Sequence, residues 1–185
     1  MQIYALCDAD MLKEKGVDLL FFAERAKSLG AEVLQYRNKH ADVATIKADL
    51  IALRRIWEGF LIINDHYELS SFCDGVHIGQ EDLYAIDADP SRAIKILKMA
   101  MGEDKLIGLS THNAAEIEIA NALELNYIGL GAYRSTSTKS DAKVLGEKLD
   151  ALAALSKHPV AAIGGVKLED TFEHVAYKVI GSGLV

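Results

Sequence analysis

Eight short runs of β-branched or aliphatic residues, with helical spacing between them, constrain this chain more than any other feature. They fall at 3–6, 32–36, 61–63, 76–78, 106–109, 127–130, 160–163 and 179–180. The runs are nearly continuous rather than alternating, as in parallel strands buried on both faces. Strand-helix alternation of this kind closes either as a doubly wound sheet or as a (β/α)8 barrel, and eight strands favour the barrel. No Gly-x-Gly-x-x-Gly follows the first run and no P-loop occurs anywhere, which argues against the nucleotide-binding alternative.

The segments between the runs carry helix signals. Asp18 caps a helix with Phe22, Ala26 and Leu29 on its apolar face and Gly30 at its end. Asp42 precedes Ile46, Leu50 and Leu53, and Asp89 precedes Pro90 at the first helical position. Asn113 with Glu116 resembles a capping box, and further helices are expected at 146–156 and 168–174, with one or two turns after Asp65. At about 150 residues per domain, 185 residues make a single domain, 1–185, with no linker or break in composition.

That length is short for a TIM barrel, which typically takes about 250 residues and at least about 200. We therefore expect a compact α/β (β/α)8 TIM barrel with the last helix missing, and a homo-oligomer or rearranged chain covering the groove so left. The net charge of −7, without a Lys/Arg block, argues against nucleic acid as a partner, and none is expected. No membrane partner is expected, since no apolar run reaches the roughly 18 residues of a span, and the absence of a signal-peptide pattern predicts a cytoplasmic protein. Cys7 and Cys73 read as reduced core thiols.

In a barrel the chemistry sits on the loops after the strands. The second strand runs into Gln35, Arg37 and Lys39, which alternation places on one side, an amide and two cations suited to an anion. The third ends in Asn64-Asp65 and the fourth in Gln80-Glu81-Asp82. Asp65 and Asp82 read equally as caps of the turns that follow or as a carboxylate pair for a hard cation such as Mg²⁺. His77 lies on a strand and reads as a satisfied core residue. Ser110 and His112 end the fifth strand, as ligand contacts or as capping groups. Thr136, Thr138 and Lys139 after the sixth form a dense set of phosphate donors. Gly164-Gly165 and Gly181-Ser182-Gly183 after the last two strands match the phosphate cradle of such barrels.

Taken in order, Gln35-x-Arg37-x-Lys39, Ile63-Asn64-Asp65, the run from Asp74 to Asp82, Ser110-Thr111-His112, Thr136-x-Thr138-Lys139 and Ile163-Gly164-Gly165 resemble the motifs of the thiamine phosphate synthase and thiazole tautomerase family. The resemblance implies an alkyl transfer in which hydroxymethylpyrimidine diphosphate and hydroxyethylthiazole phosphate give thiamine phosphate and diphosphate by a dissociative, Mg²⁺-assisted route. By motif position, Asp65 and Asp82 would hold Mg²⁺, while Arg37, Lys39, Asn64 and Lys139 would bind the diphosphate. Gln35 would contact the pyrimidine, Ser110 the reacting centre, and Thr136, Thr138, Gly165, Gly181 and Ser182 the thiazole phosphate. The tautomerase branch, acting on carboxythiazole phosphate, uses a histidine where His112 stands. A non-catalytic thiamine or thiazole phosphate-binding regulator is the third reading, motivated by the missing last helix and by Ala132, where the family usually has Gly-Pro.

Overall fold

The computed structural model describes residues 1–135 and 144–185. Eight strands, β1 (Gln2–Asp8), β2 (Ala31–Arg37), β3 (Phe60–Asn64), β4 (Gly75–Ile78), β5 (Leu106–Thr111), β6 (Tyr127–Leu130), β7 (Val160–Ala162) and β8 (Tyr177–Ile180), close in sequence order into a barrel. All pairings are parallel, and Tyr4 of β1 meets Val179 of β8 to complete the ring. Each predicted run lies on one of these strands, with Ile163 the one residue left outside.

Two packed layers hold the barrel. Its interior is filled by Tyr4, Val33, Ile62, Tyr127, Ala161 and Val179, while the larger core lies between the strands and the surrounding helices. Room inside is set by Gly108, whose Cβ would lie 2.1 Å from the Tyr127 ring. The absence of a side chain there lets the phenol cross the barrel.

The helices start where their caps predict. Asp18 caps α2 (Leu19–Ser28) by accepting from Leu20 and Phe21 N–H, and Phe22 on its inner face contributes about 2 kcal/mol through burial. Gly30 stands beyond it at φ 79°. Asp42 caps α3 (Val43–Arg54), Asp89 caps α5 (Pro90–Met101) and Asn113 caps α6 (Ala114–Ala120). A 3₁₀ turn, Tyr67–Phe72, follows Asp65, and α7 (Lys148–Ala153) lies inside the expected 146–156. Two helices have no counterpart in the sequence reading, α1 (Ala9–Lys15) and α4 (Gln80–Ile86). Asp8 is the last residue of β1 and also caps α1, leaving no loop to announce the helix.

The helix expected at 168–174 is not there. Residues 163–176 form an irregular connection instead, because its polar groups are claimed from outside. Arg134 grips Asp170 through two bonds of 2.6 and 2.7 Å, Asp170 accepts from Lys167 N–H, and Asp150 of α7 accepts from the N–H groups of Glu173 and His174. After β8 there is a single 3₁₀ turn, Ser182–Leu184, with Leu184 buried. Lys15 donates to the carbonyls of Ser182 and Val185, and Arg25 to that of Leu184.

Candidate active site at the barrel mouth

A cavity of about 390 Å³ opens at the C-terminal ends of the strands. Of the residues singled out from sequence, Gln35, Arg37, Asn64, Ser110, His112, Gly165, Gly181 and Ser182 line it. Lys39 stands exposed past the end of β2, and Asp65 and Asp82 lie at the rim rather than on the wall. Thr136, Thr138 and Lys139 fall outside the described residues.

One side of the cavity is a continuous hydrogen-bonded chain. Ser110 Oγ lies 2.9 Å from His77 Nε2, and His77 Nδ1 lies 3.1 Å from the Tyr127 hydroxyl. That hydroxyl is 2.8 Å from the Tyr4 hydroxyl, which donates to Gln35 Oε1 at 2.8 Å. Gln35 Nε2 donates to Asn64 Oδ1 at 2.9 Å, and Asn64 Nδ2 to Asp65 Oδ2 at 2.5 Å. Seven side chains, on or directly after six strands, are thereby linked.

Valence fixes the sense of most of this chain. The Asn64 amide gives an N–H to Asp65 and offers its oxygen to Gln35. The same argument carries to Gln35, then to Tyr4 and Tyr127, each of which spends its single proton toward Asp65. Burial pushes both phenols above their ordinary range, which keeps those protons in place. That leaves the Tyr127 oxygen to accept from His77 Nδ1, while Nε2 on the other side of the ring faces Ser110 Oγ. His77 is a buried, bonded residue, as expected, but it also faces the cavity.

The rim on the β2 to β4 side is charged. Asp65 adopts φ 63°, a left-handed conformation that costs a non-glycine residue about 1–3 kcal/mol and is typical of functional positions. Its N–H donates to His77 O at 2.9 Å, tying the β3 end to β4. Burial, followed by the charge of Asp82, raises the Asp65 carboxyl above its ordinary value, against the opposing pull of the Gly79 N–H, Lys39 and Arg37. Asp82 thus acts on Asp65 as a like charge, with Lys39 and Arg37 as the opposing cations.

Arg37 is not free for a ligand alone, because its guanidinium pairs with Asp8, whose side chain is 4% exposed. The other Asp8 oxygen caps α1 through the Met11 N–H at 3.0 Å. Sequence reasoning missed Asp8, Tyr4 and Tyr127 as cavity residues. Asp8 was findable, being an acidic residue at a strand end, and the two tyrosines carry polar atoms on strands otherwise read as core.

On the opposite side, Gly164 and Gly165 have φ 89° and 65°, and a Cβ on Gly164 would sit 2.6 Å from Ala132 Cβ. The turn therefore packs against the β6 end, where the Gly131–Ala132 peptide bond is cis. His112 adjoins the cavity with its Nδ1 2.9 Å from Glu116 Oε2. A separate group, Asp150, Glu173 and His174, brings its ligand atoms within 4.8 Å, but Asp150 there serves the backbone of the β7–β8 connection.

The mouth thus combines a pocket with a hydrogen-bonded wall, a rim carrying two carboxylates and nearby cations, and a glycine turn suited to an anion. The solved thiamine phosphate pyrophosphorylase of Pyrococcus furiosus superposes with a TM-score of 0.76 at 24% identity, over 98% of this chain and 85% of that one. A mutant tryptophan synthase α-subunit from the same organism gives 0.65 at 11% identity, over 98% and 87%. At these identities the likeness concerns the fold. In sequence, the thiamine-phosphate synthase of Persephonella marina is 35% identical over 172 residues, covering 90% of this chain and 77% of the relative. That of Clostridium acetobutylicum is 34% identical over 189 residues, covering 99% and 82%. The thiamine monophosphate synthase profile matches residues 3–184, and the chain belongs to that family.

Proposed function

We propose that this chain is a thiamine phosphate synthase, a transferase that joins hydroxymethylpyrimidine diphosphate to hydroxyethylthiazole phosphate and releases diphosphate. The observation that carries the reading is the division of one cavity into a buried hydrogen-bonding wall, a charged rim and a glycine cradle on the far side. Two substrates bearing phosphate at opposite ends fit that division.

The residues have complementary tasks. Gln35, Tyr4, Tyr127 and His77 orient the pyrimidine, with Ser110 beside the carbon that loses diphosphate. Arg37, held by Asp8, and Lys39 neutralise the departing diphosphate, so charge separation proceeds in a pocket whose dipoles are already aligned. The thiazole is held by its phosphate at Gly165, Gly181 and Ser182, which aims its ring nitrogen at the pyrimidine methylene. Little acid-base work is needed, since no proton moves as the C–O bond breaks and the C–N bond forms.

Asp65 and Asp82 fit Mg²⁺, because both offer hard oxygen donors and their mutual repulsion is relieved by a shared cation. Bound there, the ion would supply charge neutralisation to the diphosphate oxygens. A single-turnover assay with both substrates, with and without Mg²⁺, tests the reading. Product is expected only with Mg²⁺ and not from Asp82→Ala, and its absence with abundant wild-type protein refutes the assignment.

A second reading, thiazole tautomerase, is favoured by His112, whose contact with Glu116 suits a proton-transferring imidazole. It predicts metal-independent isomerisation of carboxythiazole phosphate that His112→Ala abolishes. An unchanged rate in that variant rejects it.

A further inference from the structure

Three successive carbonyls of the glycine turn are engaged from one side. Ile163 O accepts from Tyr133 N–H at 2.8 Å, Gly164 O from Arg134 N–H at 2.7 Å, and Gly165 O from Arg134 Nη1 at 2.7 Å. In a trans peptide plane the C=O and the following N–H point in opposite directions. Holding these carbonyls toward Tyr133 and Arg134 therefore turns the N–H groups of Gly164, Gly165 and Val166 away from them, on a stretch that lines the cavity. Successive N–H groups with positive φ between them form an anion-binding concavity.

The Arg134 guanidinium that fixes the third carbonyl is itself fixed. It binds both oxygens of Asp170, at 2.6 and 2.7 Å, and stacks 4.3 Å above the Tyr133 ring, which meets Phe172 edge-on at 5.0 Å. Asp170 belongs to the connection that has no helix to brace the turn. We propose that Arg134 and Asp170 are positioning residues for the phosphate of the thiazole substrate, acting through the Gly165 carbonyl on the three N–H groups rather than touching the anion. This rests on the synthase reading for the ligand's identity, but the concavity itself requires only an anion.

Steady-state kinetics of the full chain in Mg²⁺, varying each substrate in turn, provides the test. Arg134→Ala and Asp170→Ala are expected to raise the KM for thiazole phosphate roughly tenfold, the usual scale for losing a group that orients a ligand contact. The KM for pyrimidine diphosphate and kcat at saturation should stay within about twofold. Arg134→Lys, which keeps the charge but not the two-pronged grip, should fall between, and Arg92→Ala, which breaks an exposed ion pair elsewhere, should change neither constant. The dephosphorylated thiazole alcohol should not distinguish wild type from variants. An unchanged thiazole phosphate KM, or equal rises in both KM values, overturns the proposal. Calorimetry with inorganic phosphate and with thiamine phosphate separates the two ideas. If wild type makes no product yet binds these anions more tightly than Arg134→Ala does, only the synthase reading fails. Equal or absent binding sinks the positioning role.

Discussion

Gly108→Ala gives the sharpest test of how the barrel interior is built. The new methyl would lie 2.1 Å from Tyr127 Cζ and 2.5 Å from its hydroxyl oxygen. Carbon contacts settle near 3.5–4.0 Å, so the ring must retreat by about 1 Å or more. Tyr127 has no slack for this, being buried and bonded at 2.8 Å to Tyr4 and 3.1 Å to His77. Overpacking of about 1–3 kcal/mol and the loss of two buried hydrogen bonds at about 1 kcal/mol each sum to about 3–5 kcal/mol. For a domain of this size that corresponds to a fall in Tm of roughly 10 °C. Urea unfolding followed by circular dichroism measures it. The same substitution in a Tyr127→Leu background, where no ring reaches Gly108, should cost less than about 1 kcal/mol. A small effect in the wild-type background, or an equal effect in both, refutes the reasoning.

Three further outcomes follow from the site. Asp8→Ala removes a helix cap and leaves Arg37 without its buried partner, so a loss of about 3–5 kcal/mol is expected by urea unfolding, and wild-type stability rejects it. Asp8→Asn keeps the cap and should retain the share due to it. Asp170 is held at about 2 against an ordinary 3.8, chiefly by its bond to Arg134. Its stabilising effect is therefore complete above the ordinary value and is lost as pH falls from about 4 toward 2. The stability difference between wild type and Asp170→Asn should shrink over that interval, and a constant difference contradicts the assignment. Tyr4→Phe should weaken pyrimidine diphosphate binding by removing the Gln35 partner, read by calorimetry, without altering inorganic phosphate binding at the glycine turn.

The strands were legible because burial on both faces demands apolar runs, and Asp18, Asp42, Asp89 and Asn113 announced their helices because a cap is a local signal. The segment 168–174 misled because its outcome depends on distant groups: Asp150 takes the N–H groups of Glu173 and His174 that a helix would use, and Arg134 holds the Asp170 side chain. The strand-end rule located Gln35, Arg37, Asn64, Ser110, His112, Gly165, Gly181 and Ser182 on the cavity lining, but the pairing of Arg37 with Asp8 spans 29 positions and leaves no mark in either local pattern. Tyr4 and Tyr127 were concealed for a related reason, since a buried strand tyrosine looks like core until its partners are known.

The seven-membered chain from Ser110 to Asp65 has a selective effect on what can enter. Its members cannot be reversed singly, because each donor is committed to the next acceptor. Where the row keeps this sense up to His77 Nε2, the Ser110 proton is taken and the hydroxyl meets a visitor with its lone pairs. A heterocycle that brings a donor or a developing positive charge to that spot is welcomed, whereas an isostere bringing an acceptor meets repulsion that no single rotation relieves. Discrimination between such molecules would then originate in an aspartate at the far end of the row, just past the end of β3.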